Sequence, residues 1–179
     1  RKVGQPAAPG ISSARCDSIW QPLQTPSPKV SERWKNTSNI ARAPTLYLAV
    51  RPFQVNPPWQ FLNTAGGAAK IGSLSWSGQS LKVNGDRLVI PFTRPAQVGA
   101  TSYDGGEIVS HLRAGRVPAA RSVNDGTGAA SGVLAWSFQL APGDSVTTAI
   151  EIPLTTSLRS NLAPGSLDLL EQALAETTA

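Results

Sequence analysis

A loop rich in aromatic and amide side chains, RPFQVNPPWQFLN at residues 51–63, is the first stretch whose residue types could do chemistry. Aromatic rings stack on the apolar faces of sugar rings, while amide and guanidinium groups hydrogen-bond to sugar hydroxyls. Two adjacent prolines interrupt the stretch, which predicts that it is neither a strand nor a helix. The candidate sugar-binding residues are Arg51, Gln54, Asn56, Trp59, Gln60 and Asn63.

The same loop could instead have a packing role or a docking role. In the packing role, Phe53, Trp59 and Phe61 pack at one end of a β-sandwich, and the amide side chains hydrogen-bond to the backbone of the loop. The residue types alone favour packing over sugar binding. In the docking role, the loop is a contact surface for a neighbouring domain.

The sequence offers no nucleophilic or metal centre. His111 is the only histidine and lies on a predicted helix with no sequence cue to a partner, and there is no G-x-S-x-G elbow. Cys16 is the only cysteine and lies in an irregular arm, which excludes an internal disulfide. The stretch NDGTG at 124–128 lacks the spaced carboxylates of a calcium loop, and GGAAK at 66–70 lacks the spacing of a phosphate-binding loop. We therefore predict no cofactor and no metal.

The carboxylates do not predict a complete glycosidase site. Such a site needs two positioned carboxylates that flank the scissile bond. The chain has eleven acids. We assign Asp104 and Glu107 to helix capping and Asp86 and Asp144 to turns. Asp125 is the one acid for which the sequence suggests no structural role.

The net charge of +5 is uneven along the chain. Residues 1–51 hold eight Lys and Arg residues against two acids, a balance of +6, whereas the remainder has a balance of −1. Nucleic-acid binding needs basic and aromatic residues on one surface, and only ERWKN at 32–36 interleaves them. We predict no nucleic-acid partner. We also predict no membrane insertion, because the longest apolar run, LYLAV, is far shorter than about 20 residues.

Period-two patterns predict the elements that position these residues. Residues 1–29 form a proline-rich, irregular lead-in, and strands follow at 30–36 and 44–51 around a polar turn. Residues 71–92 predict a three-stranded antiparallel meander with one buried face, made by Leu74 with Trp76, Leu81 with Val83, and Leu88 with Ile90 and Phe92. Asn84-Gly85 is the preferred pair for a type I′ hairpin turn.

The second half of the chain predicts one short helix between strands. The helix lies within 102–115, with Asp104 as its cap, Glu107 completing a capping box, and Gly115 at its end. A strand over 133–140 alternates Leu134, Trp136, Phe138 and Leu140 on one face, and APGD turns it into a strand lined by Val146, Thr148, Ile150 and Ile152. A final helix covers 166–176. The predicted fold is an all-β, antiparallel β-sandwich with one short internal helix and a C-terminal helix.

Three stretches carry a resemblance to a known group of proteins. LYLAVRPFQVNPPWQFLNTAGGAAKIGSLSWSGQSLKVNG, VGATSYDGGEIVSHLRAG and NDGTGAASGVLAWSFQL resemble a segment of bacterial multidomain proteins described as discoidin-domain-containing or glycoside-hydrolase-like. In those proteins a supersandwich-like β-sandwich precedes an α/α-toroid domain. The resemblance implies a β-sandwich domain over 30–154, with 155–179 as the linker and helix that lead into the toroid.

The resemblance also implies that catalysis belongs to a different domain. The catalytic carboxylates would lie in the toroid, and this chain would be a non-catalytic module whose 51–63 loop contacts an oligosaccharide at the rim of the active site. The alternatives are a free-standing carbohydrate-binding module and a glycoside hydrolase in its own right. The chain has no methionine and opens on RKVGQ, so we expect a piece of a longer protein. A single cysteine fits the cytoplasm and the periplasm equally.

Overall fold

A computed structural model describes residues 11–12, 29–54 and 68–153, and antiparallel strands dominate them. The predicted all-β, sandwich-like fold with one short internal helix is confirmed. The predicted helix at 166–176 lies outside the described residues, as do most of 1–29 and all of 155–179. The strands are β1 (Ile11–Ser12), β2 (Lys29–Asn36), β3 (Thr45–Val50), β4 (Phe53–Gln54), β5 (Ala68–Ala69), β6 (Ser73–Trp76), β7 (Leu81–Val83), β8 (Arg87–Pro91), β9 (Gln97–Thr101), β10 (Ser122–Asn124), β11 (Ser131–Ser137) and β12 (Ser145–Glu151), and the helix is α1 (Ile108–Arg113).

Hydrogen bonds order these strands into two main sheets. One has the order β1-β2-β12-β8-β7-β6-β10, the other has the order β3-β11-β9, and β4 pairs with β5 alone. The strands predicted at 30–36 and 44–51 are confirmed as β2 and β3. They belong to different sheets, so the polar segment between them leads the chain from one sheet to the other.

The chain divides into two compact units. In its described part the first unit comprises 11–12, 29–46, 89–94 and 136–153, and the second comprises 47–54, 68–88 and 95–135.

The first unit is built around the long pairing of β2 with β12. Its register runs from Lys35 opposite Ser145 to Lys29 opposite Glu151. Arg33 and Lys35 are exposed, whereas Trp34, one position along, is half-buried and faces the opposite side of the strand. The basic side chains of Arg33 and Lys35 therefore lie on the face of β2 opposite to Trp34.

The second unit contains the first hairpin of the predicted meander, in which β6 pairs with β7: Leu74 lies opposite Val83 and Trp76 opposite Leu81. The N–H of Ser77 donates to the carbonyl of Ser80 at 3.0 Å and closes its turn. The next turn leads from β7 to β8, and there Asn84 has φ 52° and Gly85 has φ 79°, so both residues are left-handed, as a type I′ turn demands. The hairpin predicted from Asn-Gly is confirmed, because turn chemistry is local and few alternatives compete with it.

The prediction of a single buried face holds only in part, and Trp76, predicted to share the buried face with Leu74, is only half-buried. Leu74, Leu81, Val83 and Leu88 are buried. In β8, however, Val89 and Pro91 are buried while Ile90 is only half-buried, as is Phe92 directly after the strand.

In β11 every residue from 131 to 136 is buried, so this strand is covered on both faces rather than on one. Its apolar residues fall on both faces, which is typical of such a strand. In β12, Thr148 is buried as part of the predicted stripe, but Val146, Ile150 and Ile152 are only half-buried.

The internal helix begins later than predicted. It starts at Ile108, and Glu107 occupies the N-cap position without a side-chain cap. Asp104 lies in the preceding turn and does not cap the helix, so the predicted capping box is wrong. The C-terminal end is as predicted. Gly115 has φ 67°, and the N–H groups of Gly115 and Arg116 donate to the carbonyls of Leu112 and His111, which is a Schellman motif.

Candidate functional site

The base of the 51–63 loop is a short antiparallel pair. Phe53 lies opposite Ala69 and Gln54 opposite Ala68, so β4 and β5 bring the two ends of the connecting segment together. The expectation that no part of 51–63 is a strand is wrong at these two residues. The side chains of Gln54, Asn56, Trp59, Gln60 and Asn63 lie outside the described part of the chain, so their sugar-binding role stays a prediction.

Arg51, the first residue of the loop, is held by an ion pair. Its Nη1 donates to Oε1 of Glu107 at 2.6 Å, and the two side chains are 46 % and 58 % exposed. The carboxylate that the sequence assigns to a capping box therefore binds the loop instead. An exposed pair of this kind adds little stability, about 0–1 kcal/mol.

The segment between β9 and α1 is a tight turn that ends at Glu107. The N–H of Gly105 donates to the carbonyl of Ser102 at 3.1 Å, and the N–H of Gly106 donates to that of Tyr103 at 3.0 Å. His111 reaches back from α1, and its Nε2 lies 2.8 Å from the carbonyl oxygen of Gly105. Because a carbonyl oxygen only accepts, Nε2 carries the proton, and the sole histidine has a structural role here.

Asp125 is the buried acid for which the sequence indicates no role. Its Oδ1 accepts from the N–H and Oγ1 of Thr127 at 2.8 and 2.5 Å, and its Oδ2 accepts from the N–H of Tyr103 at 2.5 Å. The hydrogen bond from the Thr127 hydroxyl, followed by the one from the Tyr103 backbone, holds the pKa of Asp125 below its ordinary value of 3.8. Asp125 thus ties two turns together, and sequence spacing could not show this because the partners are 22 positions apart.

Two further carboxylates lie in turns. Asp144 accepts the N–H of Ala141 at 3.1 Å within the APGD turn, and Asp86 lies in the hairpin turn, as predicted. Among the described residues, no three His, Cys, Asp or Glu side chains come close enough together to hold a metal ion. Glu151, at the end of β12, is buried, and its sequence position predicts no role for it.

Asn36 is a buried amide that the sequence does not single out. Its Nδ2 donates to the carbonyls of Ile40, Leu140 and Ala141 at 2.8, 2.9 and 3.1 Å. Its Oδ1 accepts from the N–H and hydroxyl of Ser38 at 3.0 and 2.6 Å. This one side chain joins the corner after β2 to the turn before β12. An asparagine at the end of a strand is the only signal in the sequence, and it does not identify partners about a hundred positions away.

Asn84 does more than turn the hairpin. Its Oδ1 accepts from the N–H of Gly72 at 2.8 Å, and its Nδ2 donates to the carbonyl of Lys70 at 2.9 Å. The hairpin is thereby attached to the segment that follows β5. The loop base, the hairpin and the 102–106 turn are thus each held by a side chain with identified partners.

In comparisons with known proteins, no protein-family model and no curated protein matches the chain. No helix within the described residues has the length and apolar character needed to cross a membrane.

Proposed function

We propose that this chain is a non-catalytic β-sandwich module of a carbohydrate-active bacterial protein. It supports a helical, glycosidase-like domain of the α/α-toroid type and contacts an oligosaccharide through loop 51–63. The observation that carries the proposal is the base of that loop, where the β4–β5 pair closes the segment and Glu107 holds Arg51. Holding a binding loop at its base lowers the entropy lost when a ligand orders it.

The positions of the carboxylates support the non-catalytic part of the proposal. Glu107 binds Arg51, Asp125 accepts three hydrogen bonds inside the protein, and Asp144 closes a turn. A glycosidase acid or base has to face its substrate instead. The toroid partner rests on the resemblance of 46–85 and the two later stretches to toroid-containing bacterial proteins.

Titration of the whole chain with neutral hexasaccharides tests the glycan contact. Cellohexaose, mannohexaose and chitohexaose are added separately while tryptophan fluorescence is followed. We expect a saturable change with at least one of them that is lost in Trp59→Ala. Trp76→Phe is the matched control, because Trp76 lies in β6 and not in the loop, and it should keep the response.

Two results would count against the proposal. A flat response to all three sugars, with Trp59→Ala less stable than the parent, would show that the loop packs and does not bind glycan. Release of reducing sugar by the chain alone would overturn the non-catalytic assignment and revive a glycoside hydrolase.

A further inference from the structure

One strand at the edge of a sheet has no neighbouring strand on its outer side. β3 is the last strand of the sheet β3-β11-β9, and β11 is its only strand neighbour among the described residues. The other edge of this sheet is covered, because the N–H of Ala100 in β9 donates to the carbonyl of Ala120 at 2.7 Å. An uncovered edge presents unpaired N–H and C=O groups on which a further strand can pair.

The hydrogen bonds just before β3 define its register with β11. Arg42 and Leu140 exchange N–H···O bonds at 2.9 and 2.8 Å, and the N–H of Phe138 donates to the carbonyl of Pro44 at 3.0 Å. In an antiparallel ladder, residues that bond to the neighbouring strand alternate with residues whose N–H and C=O point away from it. The even-numbered residues of β3 therefore bond to β11.

The backbone groups of the odd-numbered residues point outward. Thr45 lies opposite Ser137 with their hydroxyls 3.2 Å apart, which fits a pair that exchanges no backbone hydrogen bond. The N–H and C=O groups on the open edge are therefore those of Thr45, Tyr47 and Ala49. Pro44 lacks an N–H but falls on the β11 side of the alternation, so it does not interrupt this edge.

The open edge of β3 has none of the usual protections against strand pairing. Its sequence, TLYLAV, contains no charged residue, no proline and no glycine, whereas natural edge strands commonly carry lysine, proline or a bulge. Its six residues alternate between exposed and half-buried, and Tyr47 is 39 % exposed. The strand thus combines open backbone groups with apolar side chains that are incompletely covered.

We propose that two copies of this chain pair through β3 in an antiparallel, two-fold symmetric dimer centred on Tyr47. In that register Tyr47 lies opposite Tyr47 of the second copy, and Thr45 lies opposite Ala49. It is the only register in which each of the three outward-pointing residues meets another of them, so every open N–H and C=O gains a partner. This inference does not rest on the proposed glycan contact.

The residue pattern of β3 favours a second copy as the occupant of the edge. A two-fold interface requires a patch that complements itself, and three outward-pointing residues placed symmetrically about Tyr47 meet that requirement. Pairing the strand with itself sets tyrosine against tyrosine and Leu46 against Leu48, with no like charges opposite each other. A charged strand would instead place its charges beside half-buried apolar side chains, which costs desolvation energy.

Sedimentation equilibrium of the whole chain between about 1 µM and about 1 mM tests the dimer. We expect a concentration-dependent equilibrium of monomer and dimer, and a weak one, because a single strand pair buries less than the about 1,200 Å² of stable complexes. Tyr47→Lys should weaken dimerisation at least about tenfold, since it places two positive charges directly opposite each other. Tyr47→Glu should do the same with negative charges. An equimolar mixture of these two variants should dimerise again, because opposite charges then face each other.

Two further variants separate the open edge from the rest of the surface. Ala49→Pro removes one N–H from the open edge and none from the ladder with β11, so it should also weaken dimerisation. Tyr103→Lys introduces the same charge at a tyrosine that is 67 % exposed and lies outside β3, and it should dimerise like the parent.

Each outcome supports or overturns the dimer. A parent chain that stays monomeric at about 1 mM overturns it, as does a dimer that both Tyr47→Lys and Ala49→Pro leave intact. Failure of the mixed charge variants to dimerise would refute the register centred on Tyr47. Association into ever larger particles would show open edge pairing instead of a closed dimer. A monomeric parent that still binds a hexasaccharide would overturn the dimer and leave the proposed function standing.

Discussion

Asn36 shows how much one buried amide can hold. Its five hydrogen bonds join the corner at 38–40 to the turn at 140–141. Truncation to alanine would leave three carbonyls and a serine without this partner in a buried place. Because each buried polar group left unsatisfied costs roughly 1–3 kcal/mol and some of these groups can reach water, we expect Asn36→Ala to lower the free energy of unfolding by about 3 kcal/mol.

Urea unfolding of Asn36→Ala beside Asn39→Ala checks this prediction. Asn39 belongs to the same corner but is exposed, and its truncation should change the free energy of unfolding by less than about 0.5 kcal/mol. Equal effects of the two substitutions would show that the network around Asn36 does not stabilise the fold.

Asp125 makes stability depend on pH in a defined direction. Its pKa is lowered in the folded chain, chiefly by the Thr127 hydroxyl. The carboxylate therefore stabilises the fold fully above its ordinary pKa of 3.8, and this contribution is lost as the pH falls through the lower, folded-state value. We expect Thr127→Val to be less stable than the parent at neutral pH, with a difference that shrinks in acid.

Thermal unfolding of the two chains between about pH 7 and pH 2 measures that difference. Thr127→Ser keeps the hydroxyl and should follow the parent at every pH. A Thr127→Val difference that stays constant down to the lowest pH would mean that the hydroxyl stabilises the turn independently of the charge on Asp125.

At the scale of single elements, β9 depends on a glycine for close approach. A Cβ added to Gly99 would lie 2.3 Å from the carbonyl oxygen of Pro118, far inside van der Waals contact and against backbone that cannot move easily. We expect Gly99→Ala to destabilise the chain by about 2 kcal/mol through this overpacking. Gly126→Ala has nothing within 4 Å of the new methyl group and should be nearly neutral. Guanidinium unfolding curves of the two variants make the comparison, and a neutral Gly99→Ala would contradict it.

The elements also show what the sequence can and cannot predict. The hairpin at 84–85 was predictable because two adjacent residues determine its turn. The Schellman end of α1 was predictable for the same reason. The start of α1 was not, because Glu107 binds Arg51, a residue 56 positions away. The full burial of β11 likewise depends on neighbours that a period-two pattern does not reveal.

In the candidate site, too, local features were predictable from the sequence and contacts between distant residues were not. Composition identified 51–63 as the segment with sugar-binding chemistry, and the structure adds its closed base and the Arg51–Glu107 pair. The hydrogen bond from the N–H of Tyr103 to Asp125 was not predictable, because the two residues are 22 positions apart.

For the whole molecule, the strand pairs differ in how far apart their paired residues lie along the chain. Leu74 pairs with Val83, whereas Lys35 pairs with Ser145. Distant pairs carry a larger loop-closure cost and tend to form late in folding. We expect Asn84→Ala, in the turn that joins β7 to β8, to slow refolding. Ala149→Gly, in the buried part of β12, should instead speed unfolding and cost about 1 kcal/mol.

Stopped-flow refolding and unfolding of the two variants give their φ-values. We expect about 0.5–0.8 for Asn84→Ala and about 0–0.3 for Ala149→Gly. The reverse order would show that the β2–β12 pairing nucleates the fold in spite of its sequence separation.

The pairing of β2 with β12 also has a consequence during synthesis. Ribosomes add about 5–20 residues per second, so β2 emerges on the order of 10 s before a partner about 110 positions later. Through that interval its backbone hydrogen-bonding groups are open to other nascent chains. Glu32, Arg33 and Lys35 lie within the strand, and charges at such positions discourage edge-to-edge aggregation. The charged residues of β2 thus disfavour its aggregation with other nascent chains until β12 has been synthesised.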